Sequence, residues 1–225
     1  MTSPMPHTVH AERAADGAAA ASHLELLRAV ERFQVERMRA THAALFLSPR
    51  YRPLCEFLLV DLYGHHEFRT RATTFYALGH MLRPILGRAL YEGCLRLIEL
   101  QALSERLDDR LVRELMARGA TPAFTEDEFE QAYRRCDDYA ERRHQIDLST
   151  VSTKFVHALA LRPAAARLLG IARRVRGLHR LEALLAMLER GHRAFSGAGE
   201  IGPFIEDMRN GEAAYLDGIY ARRRA

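Results

Sequence analysis

The strongest constraint on the fold is the spacing of apolar residues, which recurs every three or four positions along most of the chain. That spacing places apolar side chains on one face of an α-helix, whereas a half-buried strand needs strict alternation of apolar and polar residues. No sustained alternation occurs in the 225 residues. The pattern therefore predicts an all-α protein, folded as a single-domain bundle of about eight to nine helices.

Caps, prolines and glycines set the predicted boundaries. Residues 1–21 are expected to form a flexible leader, and residues 22–225 one helical domain with a candidate sub-boundary at 119–124. Thr125 to Glu128 has the spacing of a capping box, with an acidic first turn. The predicted helical ranges are 22–47, 51–63, 70–83, 85–118 as one helix or two, a pair within 125–161, 163–175, 178–195 and 203–222.

Composition narrows the class of protein. The 33 basic residues exceed the 29 acidic ones by four, but Lys154 is the only lysine, so the arginine excess reflects codon bias better than nucleic-acid binding. Cys55, Cys94 and Cys136 match neither a disulfide framework nor a metal spacing, which favours reduced thiols. With no apolar run of about 18 residues and no signal peptide, we expect a cytoplasmic protein without membrane insertion.

Several segments carry a family resemblance. The run FLLVDLYG at 57–64, followed by Phe68, Arg71 and LQALSERL at 100–107, resembles an uncharacterised bacterial all-helical family with an aromatic-Leu-x-x-Leu-Tyr-Gly core motif. A carboxy-terminal set resembles the closing motif of that family: Ala194, Phe195, Gly199, Phe204, Ile205, Glu212 and Leu216. The loop at 65–68 departs from the family, where a Pro and an Asp-Phe pair are expected. The resemblance implies an all-helical fold and points to no particular activity.

The first candidate site lies around the apolar second helix. Asp61 and Tyr63 sit within its sequence, where a carboxylate is costly to bury unless it has a partner. His65 and His66 follow immediately and would suit a metal clip or a proton shuttle. These four residues are the predicted ligand-binding set, and a buried Arg–Asp pair beside an exposed turn is the architectural alternative.

The second candidate is a metal site. Glu141 with His144, and Glu189 with His192, are two Glu-x-x-His units, and each unit places both side chains on one helix face. Di-iron bundles use two such units with further carboxylates. With 19 Glu and 11 His, chance predicts about one unit in this length, so salt-bridged or capped histidines are the alternative.

Two further patterns have simpler explanations. Residues 197–202 spell GxGxxG, but a helix precedes them instead of the strand that a dinucleotide site requires, so they predict a helix stop and a loop. The arginines within 167–180 lack interleaved aromatic residues and indicate a solvated helix face. Nucleic acid is therefore not expected as a partner.

No complete catalytic constellation is present, so the sequence favours a non-catalytic binding or interaction protein. Its expected partner is a small apolar ligand or another protein, near helix two, with a homo-oligomer as one form of that partnership. No cofactor is expected under this interpretation. The alternative is a di-metal oxidoreductase with iron or manganese, and whether the protein is an enzyme stays open.

Overall fold

The computed structural model describes residues 6–59, 88–172 and 182–222. Within these ranges every regular element is helical, which confirms the all-α, single-domain fold class. The helices are α1 Pro6–Thr41, α2 Ala43–Leu47, α3 Arg52–Glu56, α4 Arg88–Ala117, α5 Glu126–Cys136, α6 Tyr139–Ala160, α7 Pro163–Ala172, α8 Glu182–Gly197 and α9 Gly202–Ala221. No helix in these ranges is both long enough and apolar enough to span a membrane.

The first helix differs from its prediction at both ends. It begins at Pro6, before the predicted start at Ser22, because the alanine-rich stretch has high intrinsic helix propensity. It ends at Thr41, before the predicted end at Leu47, because His42 leaves the helical conformation with φ −110° and ψ 31°. The predicted single helix over 22–47 is therefore wrong, and the break at His42 depends on contacts with a distant helix.

The long fourth helix resolves an alternative that the sequence leaves open. It continues through Asp108 as one element and ends with Gly119 in the left-handed region at φ +73°. The Gly119 amide donates to the carbonyl of Met116 at 2.9 Å, and the Ala120 amide donates to the carbonyl of Leu115 at 3.0 Å. These two hydrogen bonds close the carboxy-terminal end of the helix. They require a residue that tolerates positive φ at position 119, which explains the glycine.

The capping box that begins α5 is present as predicted. The Glu128 amide donates to Oγ1 of Thr125, while the Thr125 amide donates to Oε2 of Glu128 at 2.7 Å. The linker does not separate two cores, because Ala120 and Phe124 pack against the same apolar cluster as the two helices that it joins.

The core consists of two apolar clusters. The first joins α2, α3, α8 and the start of α9, with the last turn of α6, and includes Leu54, Phe195 and Phe204. The second joins α1, α4, α5 and the end of α9 and includes Val30 and Phe129. Because α9 contributes to both clusters, its middle turns lie between them, and there it faces the end of α1.

Candidate functional site at the junction of α1 and α9

A buried histidine occupies the break between α1 and α2. The His42 side chain is only 1% exposed, and its Nδ1 lies 2.8 Å from Oδ1 of Asp207 while its Nε2 lies 3.0 Å from Oε1 of Glu212. Both carboxylates belong to α9. Gly211 makes the approach of the ring feasible, since a Cβ at that position would overlap Cε1 of His42.

His42 and Glu212 each shift the pKa of the other. Burial alone would lower the pKa of His42, but hydrogen bonds to Glu212 and Asp207 outweigh it, so the pKa is raised. Burial alone would raise the pKa of Glu212, but His42 and Arg37 outweigh it, so that pKa is lowered. The imidazolium and carboxylate forms therefore stabilise each other.

Arg37 extends the cluster along α1. Its Nη1 donates to Oε1 of Glu212 at 2.5 Å and its Nη2 donates to Oε2 at 2.9 Å, a bidentate pair. The guanidinium also stacks on the ring of Tyr215, with Cζ 4.2 Å from the ring centroid. The residues His42, Arg37, Asp207, Glu212 and Tyr215 are called the junction cluster below.

Arg37 also lines a cleft. It has a volume of about 350 Å³ and lies between α1, α5 and α9. The polar side chains that line it are Arg37, Thr41, Glu126, Glu130, Tyr215 and Arg222. The volume falls within the range of small-molecule sites.

One atom at this cleft lacks a partner. The Tyr215 hydroxyl is buried and forms no hydrogen bond with any residue that the structure describes. Burial raises the pKa of Tyr215, so the phenol stays neutral and is available as a donor. A buried hydroxyl without a partner is unusual in native proteins, and a bound molecule would explain it.

The opposite wall of the cleft is held by a second ion pair. Glu130 is 5% exposed and accepts from Nη1 of Arg222 at 2.6 Å and from Nη1 of Arg134 at 3.3 Å. Arg222 itself is 67% exposed, so the residue at the mouth of the cleft is solvated while its carboxylate partner is buried.

A second buried network, called the Arg142 cluster, joins side chains of α4, α5 and α6 with Asp138, the residue that precedes α6. Arg142 is 3% exposed, with Nη1 3.7 Å from Oδ1 of Asp108 and Nε 3.5 Å from Oδ2 of Asp138. The ring of Tyr133 stacks on its guanidinium, and Gln34 donates to Asp108 at 3.2 Å. These contacts join α1, α4, α5 and α6, so this network positions helices.

Comparison with known proteins places the chain in a family. A family model described as "Domain of unknown function (DUF8198)" matches residues 13–225. The chain belongs to the DUF8198 family. No curated protein and no solved structure matches it. Membership in DUF8198 agrees with the resemblance to an uncharacterised family, while the bacterial origin and the motif at 57–64 stay predictions.

The predicted ligand-binding residues of this DUF8198 chain lie outside the part of the chain that the structure describes. Asp61, Tyr63, His65 and His66 lie within 60–87, outside the described residues. The part of that helix that is described, residues 51–59, does contribute buried side chains to the first apolar cluster, including Leu54 and Phe57.

The residues of the first predicted Glu-x-x-His unit, Glu141 and His144, have other contacts. Glu141 accepts from Nη1 of Arg110 at 2.7 Å, and His144, which is 57% exposed, lies 3.2 Å from Glu99. In the three described ranges, no group of three or more His, Cys, Asp or Glu side chains is arranged to hold a metal ion. Glu189 and His192 thus do not complete a cluster with the first unit, and the observed geometry lends the di-metal alternative no support.

The glycine-rich segment at 197–202 ends a helix, as its sequence predicts. Helix α8 ends at Gly197, and the following loop is held through its backbone carbonyls. Arg50 donates to the carbonyls of Ala198 and Glu200 at 2.6 and 2.8 Å, and Nε2 of His157 lies 2.7 Å from the carbonyl of Gly199. These contacts fasten the loop to the turn between α2 and α3 and to α6.

The cysteines offer no activated thiol. Cys55, Cys94 and Cys136 are free. Burial raises the pKa of Cys55 and of Cys136 to about 11, and it also raises that of Cys94. Because the thiolate is the reactive form, these residues are poor nucleophiles at neutral pH.

Sequence reasoning missed the junction cluster. His42 was placed inside a continuous helix, and its partners stand 165 and 170 positions away, beyond the reach of local patterns. The available signal was Gly211 in the middle of a predicted helix, because an interior glycine usually marks a close approach of another group.

Proposed function

We propose that this DUF8198 chain is a non-catalytic binding protein that holds a small polar molecule in the cleft between α1, α5 and α9. The observation that carries the proposal is the cleft together with the hydroxyl of its lining residue Tyr215, which is enclosed and has no hydrogen-bond partner in the described ranges. A ligand with a hydrogen-bond acceptor would satisfy it once the Tyr215 ring shifts enough to bring the hydroxyl to the cleft surface.

The charges around the cleft indicate the chemistry of the ligand. Two arginines and two glutamates line it, so their formal charges balance. Arg37 and Arg222 are already paired with Glu212 and Glu130. A strongly charged ligand would have to displace one of these pairs, whereas a neutral polar or zwitterionic molecule would add hydrogen bonds without doing so.

The chemistry of the lining favours binding over catalysis. Its described residues include no histidine, cysteine or serine, and the Tyr215 phenol has a raised pKa, which suits a donor and not a base. His42 is adjacent in sequence, but both of its ring nitrogens are engaged by carboxylates.

The polar lining shifts the expected ligand from apolar to polar. An apolar ligand, a protein partner or a second copy of the chain near helix two remains a separate prediction, because it rests on residues 60–66. That prediction and the cleft proposal concern different surfaces, so each is tested on its own residues.

The test is a thermal-shift screen of the purified protein against free amino acids, simple amides, polyols, amines and carboxylic acids. We expect at least one neutral or zwitterionic compound to raise the unfolding temperature in proportion to its concentration, since a ligand at a hundred times its Kd adds about 2.7 kcal/mol. Native mass spectrometry of the untreated protein gives a second readout, the mass of any molecule that co-purifies.

Two variants decide whether the compound occupies the cleft. Tyr215→Phe should raise the Kd about fivefold, because it removes a hydrogen bond worth about 1 kcal/mol, so about five times more compound is needed for the same shift. Tyr139→Phe is the matched control, since its exposed hydroxyl donates to Asp217 outside the cleft. Equal shifts in both variants, or no shift with any compound and no co-purified mass, would contradict the proposal.

A further inference from the structure

We infer that His42 is a pH-sensitive latch between the end of α1 and the middle of α9. In its protonated form the imidazolium fastens the α1–α2 junction to Asp207 and Glu212, and loss of the proton releases one of these two attachments. This inference concerns the junction itself and holds whether or not the cleft takes a ligand.

The geometry requires the proton. Both ring nitrogens of His42 lie within 3.0 Å of a carboxylate oxygen. An ionised carboxylate only accepts hydrogen bonds, and a neutral imidazole has one donor nitrogen and one acceptor nitrogen. A neutral ring would therefore face one carboxylate with a lone pair, so only the imidazolium satisfies both contacts.

The Glu212 carboxylate does not hold this proton. Glu212 is bound bidentately by Arg37, which favours its ionised form, and its pKa is lowered by His42 and Arg37 against the effect of burial. Deprotonation of His42 would remove the cation that lies between Asp207 and Glu212.

The other ionisable groups around the ring do not replace this proton. From α1, Arg37 is committed to Glu212, and Arg39 stands over the Phe46 ring with Cζ 5.0 Å from its centroid. From α3, the Cys55 thiol is neutral at physiological pH because burial raises its pKa to about 11. From α9, only Asp207 and Glu212 contact the ring through side-chain oxygens.

The direction of the pH effect follows from linkage. Because the pKa of His42 in the folded protein is raised above its ordinary value of 6.5, the junction contributes its full stability below that value. The contribution is lost as the pH rises from 6.5 through the folded pKa. Each unit by which the folded pKa exceeds 6.5 corresponds to a tenfold change in the unfolding equilibrium constant.

The experiment is urea denaturation of the unaltered protein and of His42→Gln at pH values from 5.5 to 9. We expect the unaltered protein to lose stability relative to His42→Gln across this range, because glutamine has no proton to lose. His144→Gln is the control, since it removes an exposed histidine and leaves the junction intact; it should keep the pH dependence of the unaltered protein.

Asp207→Asn provides a second route if His42→Gln does not fold. Asp207 is 42% exposed, so an amide of the same shape is tolerated there while one charge that holds the proton is removed. The pH dependence should become weaker in this variant. An unchanged pH dependence in His42→Gln, or in Asp207→Asn where that is the variant measured, would overturn the latch.

Discussion

The junction cluster and the Arg142 cluster are built on one plan and differ in a single respect. Each places a buried cation between two carboxylates, and each includes an arginine stacked on a tyrosine ring. In the Arg142 cluster the central cation is a guanidinium, which stays charged at every physiological pH. In the junction cluster it is the imidazole of His42, whose charge depends on pH. The same arrangement thus gives a fixed support in one place and a responsive one in the other.

The surroundings of the two clusters reinforce this difference. In the Arg142 cluster, Nη2 of Arg142 donates to the Leu107 carbonyl at 3.1 Å, and the Tyr220 hydroxyl donates to Oδ1 of Asp138 at 3.3 Å. The junction cluster leaves the Tyr215 hydroxyl without a partner at the edge of a cleft. A polar network buried between helices stabilises a fold, whereas a hydroxyl without a partner beside a cleft has capacity for a ligand.

The largest effect should come from breaking the fixed cluster. Arg142→Met would leave Asp108 and Asp138 buried without their cation, and we expect a loss of about 3–5 kcal/mol in the free energy of unfolding, with the loss unchanged between pH 6 and 9. Urea denaturation at both pH values measures it.

Arg143→Met is the matched control for that variant. Arg143 is half-exposed and lies 3.9 Å from Asp217, so we expect a loss of less than about 1 kcal/mol. If Arg142→Met cost no more than this control, the Arg142 cluster would not be the support described here.

A smaller effect should follow from disturbing the ring of His42. In Gly211→Ala the new Cβ would overlap Cε1 of the ring, and we expect a destabilisation of about 1–3 kcal/mol. Gly218→Ala lies on the same helix with no neighbouring heavy atom within 4 Å of the new Cβ. That control should gain up to about 1 kcal/mol from helix propensity, measured by thermal or urea unfolding. Equal gains in both variants would mean that the ring does not pack against α9.

Two tyrosines sharpen the comparison further. Tyr220→Phe removes hydrogen bonds to the Tyr133 carbonyl and to Asp138, so we expect a loss of about 1 kcal/mol. Tyr215→Phe removes a hydroxyl that has no partner in the described ranges, so the ligand-free protein should be unchanged or more stable. A comparable loss in the ligand-free Tyr215→Phe protein would show that the hydroxyl is already satisfied.

The smallest effect is expected on the exposed face of α6. His144→Gln breaks an exposed pair with Glu99, and we expect the free energy of unfolding to change by no more than about 0.5 kcal/mol.

Elemental analysis of the unaltered protein and of His144→Gln would test the di-metal alternative. Iron or manganese bound in near-stoichiometric amount and lost in His144→Gln would contradict the ion-pair interpretation of that residue.

Local features of the fold were predictable, because their causes lie within a few residues. The capping box at Thr125 and the glycine stop at Gly119 each satisfy backbone groups of the adjoining helix, so their sequence is sufficient. The start of α1 was missed because the predicted start at Ser22 excluded the alanines before it, whose helix propensity extends the helix back to Pro6. Helix periodicity gave the fold class for the same local reason.

The candidate site was not predictable, because its partners are distant in sequence. Asp108 and Asp138 each belong to an adjacent acidic pair in the sequence, and nothing there indicates that both reach Arg142. The Glu-x-x-His units, in contrast, have a local spacing in the sequence that suggested a metal site. Their observed partners, Arg110 and Glu99, are exposed contacts between neighbouring helices.

The most direct test of the difference between the two clusters is the protonation state of His42. Nitrogen-15 NMR of the imidazole side chain reports each ring nitrogen separately as the pH is varied. We predict that the ring titrates with a midpoint above 6.5, so that at pH 6.5 both nitrogens carry protons in most molecules. A midpoint at or below 6.5 would contradict the imidazolium at the centre of the junction cluster.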